Sequence, residues 1–125
     1  MKTVIKTNLA PAPIGPYNQA IKANGMLFIS GQIAIIPETG ELELSNTETE
    51  IHRVMQNLKA ILTESSIGFE NVVKTTILLS DMSLFATVNE VYGSYFTTDF
   101  PARETFAVKG LPKGVNIEIS MMAVL

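Results

Sequence analysis

The sequence has no cysteine and no tryptophan, and it contains a single histidine, His52. Without cysteine there can be no disulfide, no thiolate nucleophile and no zinc–thiolate site. With one histidine, a two-histidine metal site and a histidine–histidine acid–base pair are excluded within one chain. We therefore expect no metal and no other cofactor, so that any chemistry depends on carboxylates, hydroxyls, amides and cations.

Charged residues are also scarce. They make up 17% of the chain, against about a quarter in an average globular protein. Polar surface to cover the outside is therefore short, and we expect self-association to hide part of it. The formal net charge is −3 and Lys and Arg form no cluster, which argues against binding to a nucleic-acid backbone.

Targeting and membrane-spanning segments are missing as well. The first residues, Met1 to Lys6, alternate polar with apolar side chains and lack the apolar region of a secretory signal. No apolar run approaches membrane-spanning length. Since the 125 residues show no repeat, linker or change of composition, we predict one cytoplasmic domain covering residues 1–125.

Alternating and β-branched residues predict several strands. Met26–Ile36 is apolar on both of its faces, which is typical of a strand covered on both sides, and the turn Pro37–Gly40 ends it. Three prolines within Ala10–Pro16 exclude regular structure and predict a stiff surface loop that ends at Tyr17. The other predicted strands are Thr3–Lys6, Val72–Leu79, Arg103–Val108 and Asn116–Leu125, with a turn over Gly110–Gly114.

Two helices are predicted from apolar residues spaced three and four apart. The first covers Ser45–Ser66, with Ser45 and Glu48 at capping-box spacing and Gly68 placed to end it. The second starts at Ser83 as its cap and runs to about Phe96. Two amphipathic helices can cover only one face of a sheet. Because the strands are apolar on both faces, the far face needs another cover, for which a second copy of the chain is the obvious candidate.

The last strand carries an unexpected carboxylate. Ile117 and Ile119 point to one face, whereas Glu118 begins the opposite face, which becomes apolar further along the strand. A carboxylate there is costly unless it is paired or hydrogen-bonded. Glu118 is therefore a candidate functional residue. The alternatives are that it lies at the wet end of the strand or pairs with a neighbouring lysine.

Arg103 is the complementary candidate. Alternation places it on one face of its strand with Thr105 and Ala107, two small residues that leave room beside the guanidinium. Such a guanidinium can grip a planar carboxylate through two parallel hydrogen bonds. The alternatives are an ordinary surface arginine or an arginine paired with Glu118.

Three further features are less specific. Tyr17 ends a rigid loop and suits either a ligand contact or packing against the sheet. Gly31 interrupts an apolar strand, which indicates a bulge or the close approach of another backbone or a ligand. His52 lies beside the apolar stripe of the first helix, as expected for a helix-flank residue rather than a ligand or a base.

Several short blocks, in order and spanning nearly the whole chain, resemble the reactive intermediate deaminase (Rid) family, and most closely its RidA-type 2-iminobutanoate/2-iminopropanoate deaminases. They are Gly15-Pro16-Tyr17-Asn18-Gln19-Ala20, Ser30-Gly31-Gln32, Gln56-Asn57-Leu58, Leu79-Ser80-Asp81-Met82, Asn89-Glu90-Val91-Tyr92, Pro101-Ala102-Arg103, Leu111-Pro112 and Ile117-Glu118-Ile119.

The resemblance implies an α+β, chorismate-mutase-like fold: a mixed β-sheet with two helices packed on one face, forming a homotrimer with a central barrel and ligand clefts between subunits. It also implies catalytic roles for Arg103, which would bind the substrate carboxylate, and for Glu118, which would orient water. The implied substrate-binding positions are Tyr17, Ser30, Gly31, Asn89, Arg103 and the backbone of Thr105.

The chain departs from the family pattern at several positions. Asn18 stands where members often have Ser, Glu104-Thr105 where they have Ser-Cys, Glu50-Ile51 where they have Gln-Thr, and Ser120 where they have a second acid. Loss of the cysteine removes any thiol-based redox role but leaves the backbone contact at that position intact. We expect Asn18 and Glu104 to affect substrate preference.

The predicted function is hydrolysis of small 2-imino acids to 2-keto acids and ammonia, without a metal. The alternative from another class is a non-catalytic regulatory protein that binds a small carboxylate such as a 2-keto acid. Two further hypotheses are a ribonuclease and a chaperone-like surface. The negative charge and the solitary histidine argue against a ribonuclease. An oligomer interface explains the low charged fraction as well as a chaperone-like surface does.

Overall fold

A computed structural model describes all 125 residues. Six strands form one mixed sheet in the order β1-β2-β3-β6-β4-β5. The strands are β1 (Thr3–Ile5), β2 (Ala20–Ala23), β3 (Met26–Gln32), β4 (Val72–Leu79), β5 (Ala102–Ala107) and β6 (Ile117–Val124). The helices are α1 (Thr47–Glu64) and α2 (Phe85–Gly93), and short 3₁₀ turns cover Phe69–Asn71, Met82–Leu84 and Pro112–Gly114.

One face of the sheet packs against both helices. The main core joins α1 side chains such as Met55 and Leu58 to sheet residues such as Ile77 and Ile119, all of them fully buried. Neighbouring strands are antiparallel except β4 and β5, which run parallel because α2 lies between them in the chain. The α+β fold with two helices on one sheet face is confirmed.

The opposite face of the sheet, called the open face below, has no cover within the chain. Phe28, Phe106, Met122 and Val124 expose 43%, 55%, 43% and 40% of their surface. Phe28, Met122 and Val124 alternate along their strands with core residues, as predicted for strands that are apolar on both faces. Covering this face with further copies stays a prediction.

The predicted strands and loops are largely confirmed, but β2 was missed. It forms a hairpin with β3 through Asn24 and Gly25, which have φ angles of 51° and 73°. Two consecutive residues with positive φ make a type I′ turn, for which Asn-Gly is the strongest short-range signal. That dipeptide was therefore a usable signal for the missing strand.

The predicted ends of the first helix were wrong. Asn46, not Ser45, caps α1, since its Oδ1 accepts the Thr49 N–H at 2.9 Å. The residue that turns the chain after the helix is Ser66, with φ of 61°, rather than Gly68. Both ends lie within about two residues of the prediction, as is usual when the choice is between neighbouring polar residues.

The predicted start and end of the second helix also need correction. Asp81 rather than Ser83 provides the cap: its Oδ1 accepts the Ser83 N–H at 2.7 Å and opens a 3₁₀ turn before α2. The α-helix then ends at Gly93, and the chain continues to Phe96 with i→i−3 hydrogen bonds.

The strand predicted to continue to Ile36 ends at Gln32. A bulge between Ile29 and Gln32 shifts its register against β6. Beyond the bulge, the buried amide of Asn57 on α1 donates to the carbonyls of Ile33 and Ile35 at 3.2 and 3.0 Å, drawing this segment away from the sheet.

No helix has the length and hydrophobicity required to cross a bilayer.

Candidate functional site

Glu118 lies in a cleft of about 320 Å³. Its walls are the proline-rich loop through Tyr17, the bulge at Ser30 and Gly31, the segment Ile33–Ile35, and Pro112. We call this the Glu118 cleft. Much of the lining is apolar, and Glu118 supplies its one acidic side chain.

The position of Glu118 follows from the alternation of β6. Ile117 and Ile119 enter the core, so Glu118 must point away from the helices, and its register partner on β4 is Leu78. Burial raises the pKa of its carboxyl above the ordinary value of 4.5. The two ion pairs of the chain are Arg53–Glu43 and Lys74–Glu104, so within one chain Glu118 pairs with neither a lysine nor Arg103.

Gly31 is required for this placement. A Cβ added at Gly31 would lie 2.8 Å from Cδ of Glu118 and would also overlap its Oε2. Contact that close is repulsive, so any larger residue would displace the carboxylate. The predicted bulge at Gly31 is confirmed. The group that approaches this glycine within the chain is the side chain of Glu118, rather than another backbone or a ligand.

The proline-rich wall of the cleft is fixed by Gln19, whose importance the sequence analysis missed. This side chain is buried, and its amide donates to the carbonyls of Thr7, Ala10 and Pro11 at 3.0, 3.2 and 2.8 Å. Its Oε1 accepts the Thr7 N–H at 2.8 Å. A polar residue directly after a loop whose prolines lack N–H groups was the available signal, because such a loop offers carbonyls that need outside donors.

Arg103 lies in a second cleft, of about 260 Å³, between β5 and α2. Asn89, Tyr92, Phe100 and Pro101 line this cleft with it, and we call it the Arg103 cleft. The Arg103 Nη2 donates to Asn89 Oδ1 at 2.7 Å. No acidic side chain forms an ion pair with Arg103, so its positive charge is available to an anion.

The backbone of Thr105, rather than its hydroxyl, is the group this position can offer. The Oγ1 is buried without a hydrogen-bond partner. The Val108 N–H donates to the Leu79 carbonyl at 2.8 Å, so even-numbered residues of the edge strand β5 direct their backbone groups toward β4. By alternation the N–H and C=O of Thr105 point outward at the free edge of the sheet.

One chain does not bring Arg103 and Glu118 together. Arg103 pairs in register with Thr75 and faces α2, whereas Glu118 pairs with Leu78, three residues further along β4. An odd separation along a strand places two side chains on opposite faces. Of the predicted site residues, Tyr17, Ser30 and Gly31 accompany Glu118, and Asn89 accompanies Arg103.

Two further residues singled out in the sequence, Glu104 and His52, lie outside both clefts. Glu104 is on the open face, where the Thr76 hydroxyl donates to it at 2.6 Å and Lys74 pairs with it at 3.0 Å. The Thr76 hydrogen bond, followed by Lys74, lowers the pKa of its carboxyl. His52 is exposed and its Nδ1 lies 2.7 Å from the Tyr95 hydroxyl, in agreement with a helix-flank role.

Comparison with known proteins gives a consistent result. A family model described as Endoribonuclease L-PSP matches residues 7–125. The human protein named 2-iminobutanoate/2-iminopropanoate deaminase is 44% identical over 124 residues, covering 99% of this chain and 90% of its own. The Arabidopsis thaliana protein named Reactive Intermediate Deaminase A, chloroplastic, is 46% identical over 124 residues, covering 99% of this chain and 66% of its own. A solved structure of YyfA from Yersinia pestis, described as a member of the conserved Rid protein family, matches with a TM-score of 0.97 and 43% identity over 100% of both chains.

Proposed function

The chain belongs to the Endoribonuclease L-PSP family, in agreement with the Rid resemblance of its motifs, and from this premise we propose that it hydrolyses small 2-imino acids to 2-keto acids and ammonia. The deaminase names of the human and Arabidopsis relatives support the reaction class. The observation that carries the proposal is that each cleft holds one suitable charged group. One cleft contains an arginine that has no anionic partner, and the other contains a glutamate whose pKa is raised by burial. These two groups match the two ends of a 2-imino acid, a carboxylate and an electrophilic C=N carbon.

Arg103 binds the substrate carboxylate in this proposal. Asn89 occupies one N–H of the guanidinium, which leaves two parallel N–H groups for a bidentate contact. The outward N–H of Thr105 is a further donor on the same strand. Together these groups fix the plane of the substrate.

Glu118 acts on water. On the protonated imine, the water oxygen bonds to the imine carbon while Glu118 takes one water proton and the C=N electron pair moves to nitrogen. Glu118 then returns that proton to the nitrogen of the carbinolamine. As the C–N bond breaks, the hydroxyl becomes the keto oxygen and its proton passes to the Glu118 carboxylate, which transfers it to the released ammonia to give ammonium. A carboxyl whose pKa is raised toward neutrality serves both steps better than an ordinary one. Tyr17 and Ser30 border the same cleft and would contact the substrate or the water.

The active site is then shared between copies of the chain. Arg103 and Glu118 lie on opposite sheet faces, so one copy supplies the Arg103 cleft and a neighbour supplies the Glu118 cleft. Head-to-tail contacts between different surfaces form a ring when the rotation from one copy to the next closes after a whole number of copies, which is three in a homotrimer. A homotrimer with its open faces turned inward, forming a central barrel, would also cover Phe28, Phe106 and Met122.

A panel of imino acids tests the activity directly. An amino-acid oxidase generates 2-iminopropanoate, 2-iminobutanoate and larger analogues in situ, and release of keto acid is followed with and without the protein. We expect release to exceed the spontaneous rate. A protein that binds pyruvate but leaves every spontaneous rate unchanged would instead be the regulatory small-carboxylate binder.

Mixed assemblies test whether the site is shared. Arg103→Ala and Glu118→Gln chains are each expected to be inactive alone, but co-refolding them in equal amounts is expected to restore about a quarter of wild-type activity. This fraction arises because half of the arginine donors and half of the glutamate donors are intact, and they combine at random in a ring. As a control, Arg103→Ala is mixed with the double variant Arg103→Ala/Glu118→Gln, which leaves no complete site. No recovery in the first mixture would exclude a shared site.

The family description also names an endoribonuclease. The net charge of −3 and the position of the one histidine outside both clefts do not favour RNA as a substrate. A chloroplastic relative shows that location varies among similar proteins, and a cytoplasmic location for this chain stays a prediction.

A further inference from the structure

Helix α2 presents three side chains to Arg103 from a single stripe. Phe85, Asn89 and Tyr92 occupy positions i, i+4 and i+7, which share one side of a helix. The Arg103 Cζ lies 5.6 Å from the centre of the Phe85 ring and 5.2 Å from the centre of the Tyr92 ring. Both distances fall within the range of cation–π attraction. We call these two rings the aromatic cradle.

The Tyr92 ring is firmly anchored. Its hydroxyl donates to Thr75 Oγ1 at 3.0 Å, and both side chains are buried. Thr75 is also the register partner of Arg103 in the parallel β4–β5 pair. The Tyr92 ring beside the guanidinium is therefore held by β4, the strand that pairs with β5, which carries Arg103.

The hydrogen-bond partner of the guanidinium, Asn89, and the two rings beside it are all neutral. Asn89 and Phe85 carry no charge, and burial raises the pKa of the Tyr92 phenol, so it remains protonated at physiological pH. An acidic partner would orient Arg103 but would compete with a substrate carboxylate for the same N–H groups. Aromatic rings attract the cation through their faces without accepting its N–H groups in the guanidinium plane. Those N–H groups therefore stay free to bind a carboxylate.

We propose that Phe85 and Tyr92 are positioning residues that hold the Arg103 guanidinium in its ligand-ready orientation before a carboxylate arrives. The inference deepens the proposed function and rests on Arg103 being the carboxylate receptor. It assigns a role to Phe85 and Tyr92, neither of which was predicted from the sequence to be a site residue.

The competing explanation is that the rings only pack the fold. The two can be separated because the Phe85 ring is 38% exposed and lies outside the core. Phe96 provides a matched control, since it stacks on Tyr92 at 4.9 Å between ring centres and packs against the core without contacting Arg103. Phe96→Leu therefore perturbs the same aromatic cluster without touching the guanidinium.

Pyruvate affinity and steady-state kinetics give the first readout. Phe85→Leu and Tyr92→Leu are each expected to raise the pyruvate Kd and the KM for 2-iminopropanoate about fivefold with kcat nearly unchanged. This pattern is expected because the carboxylate contact is equally strong in ground and transition states. Tyr92→Phe keeps the ring and is expected to recover most of the lost affinity. Phe96→Leu is expected to lower thermal stability while leaving both constants unchanged.

The mobility of Arg103 can also be measured directly. The chain has only two arginines, Arg53 and Arg103, so their Nε–H signals in an NMR spectrum can be assigned by one substitution. In the ligand-free protein we expect the Arg103 Nε–H to be as ordered as rigid backbone, and Phe85→Leu to make it flexible. A mobile Arg103 in the wild-type protein, or unchanged Kd and mobility in both Leu variants, would overturn the proposal. If wild-type protein neither bound pyruvate nor hydrolysed imines, the proposed function itself would fail, whatever the order of Arg103.

Discussion

Replacing Arg103 with alanine is expected to lower kcat/KM for 2-iminopropanoate by roughly 10²- to 10⁴-fold. Keto-acid release in the presence of the variant should then be close to the spontaneous rate. Each hydrogen bond between a cation and a carboxylate contributes about 1.5–3 kcal/mol, and the bidentate contact has two. The side chain is half-buried and makes no ion pair, so the fold is expected to persist. Keto-acid release and the thermal midpoint are measured on the same preparations.

Lysine at the same position separates charge from geometry. An ammonium ion keeps the positive charge but cannot donate two parallel N–H groups, and it lacks the planar, delocalised charge that lies 5.6 and 5.2 Å from the ring centres of Phe85 and Tyr92. Arg103→Lys is therefore expected to remain severely impaired, with a raised KM. Wild-type turnover in either variant would show that the substrate carboxylate binds elsewhere.

Replacing Glu118 with glutamine is expected to reduce kcat by roughly 10²- to 10⁴-fold, the usual contribution of a general base. The wild-type rate should fall as the pH drops through the folded pKa of Glu118, which burial raises above 4.5. This acidic limb should disappear in Glu118→Gln. A pH–rate profile that is the same in both proteins would rule out Glu118 as the base.

The same substitution is expected to stabilise the protein. A carboxyl with a raised folded pKa contributes stability that is fully present below its unfolded pKa and is lost as the pH rises through the folded value. Glutamine is neutral at every pH, so Glu118→Gln should melt at a higher temperature than wild type near pH 7. The difference should disappear below about pH 4, where both side chains are neutral. Lower stability of the variant at pH 7 would contradict burial as the cause of the pKa shift.

Local sequence signals predicted most of the helices and strands, because the formation of these elements depends largely on residues that are close together in the chain. Val72–Leu79 was placed without error, and the last strand was placed within one residue, since the twofold alternation of apolar residues needs no long-range information. The helix caps were less reliable. Each helix start offers two good capping residues, Ser45 or Asn46 for the first helix and Asp81 or Ser83 for the second. Which of the two caps the helix depends on how the preceding loop enters it.

Strand alternation also identified Arg103 and Glu118 as candidates, but it could not place them relative to each other. Their faces depend on the register of two strands against β4, which pairs with both. The supports of each group lie far away in the chain: Gly31 approaches Glu118 from β3, and Tyr92 supports Arg103 from α2. No local pattern encodes such contacts.

The sequence alone determined the types of element, the two charged residues suited to an imino acid and the limits on chemistry set by the lack of cysteine and the single histidine. Only the tertiary structure decided that the cation and the carboxylate lie in separate clefts on opposite faces of one sheet. The physical reason is that composition and periodicity fix which side of a strand a residue occupies, whereas strand order and register fix which strands and helices face it.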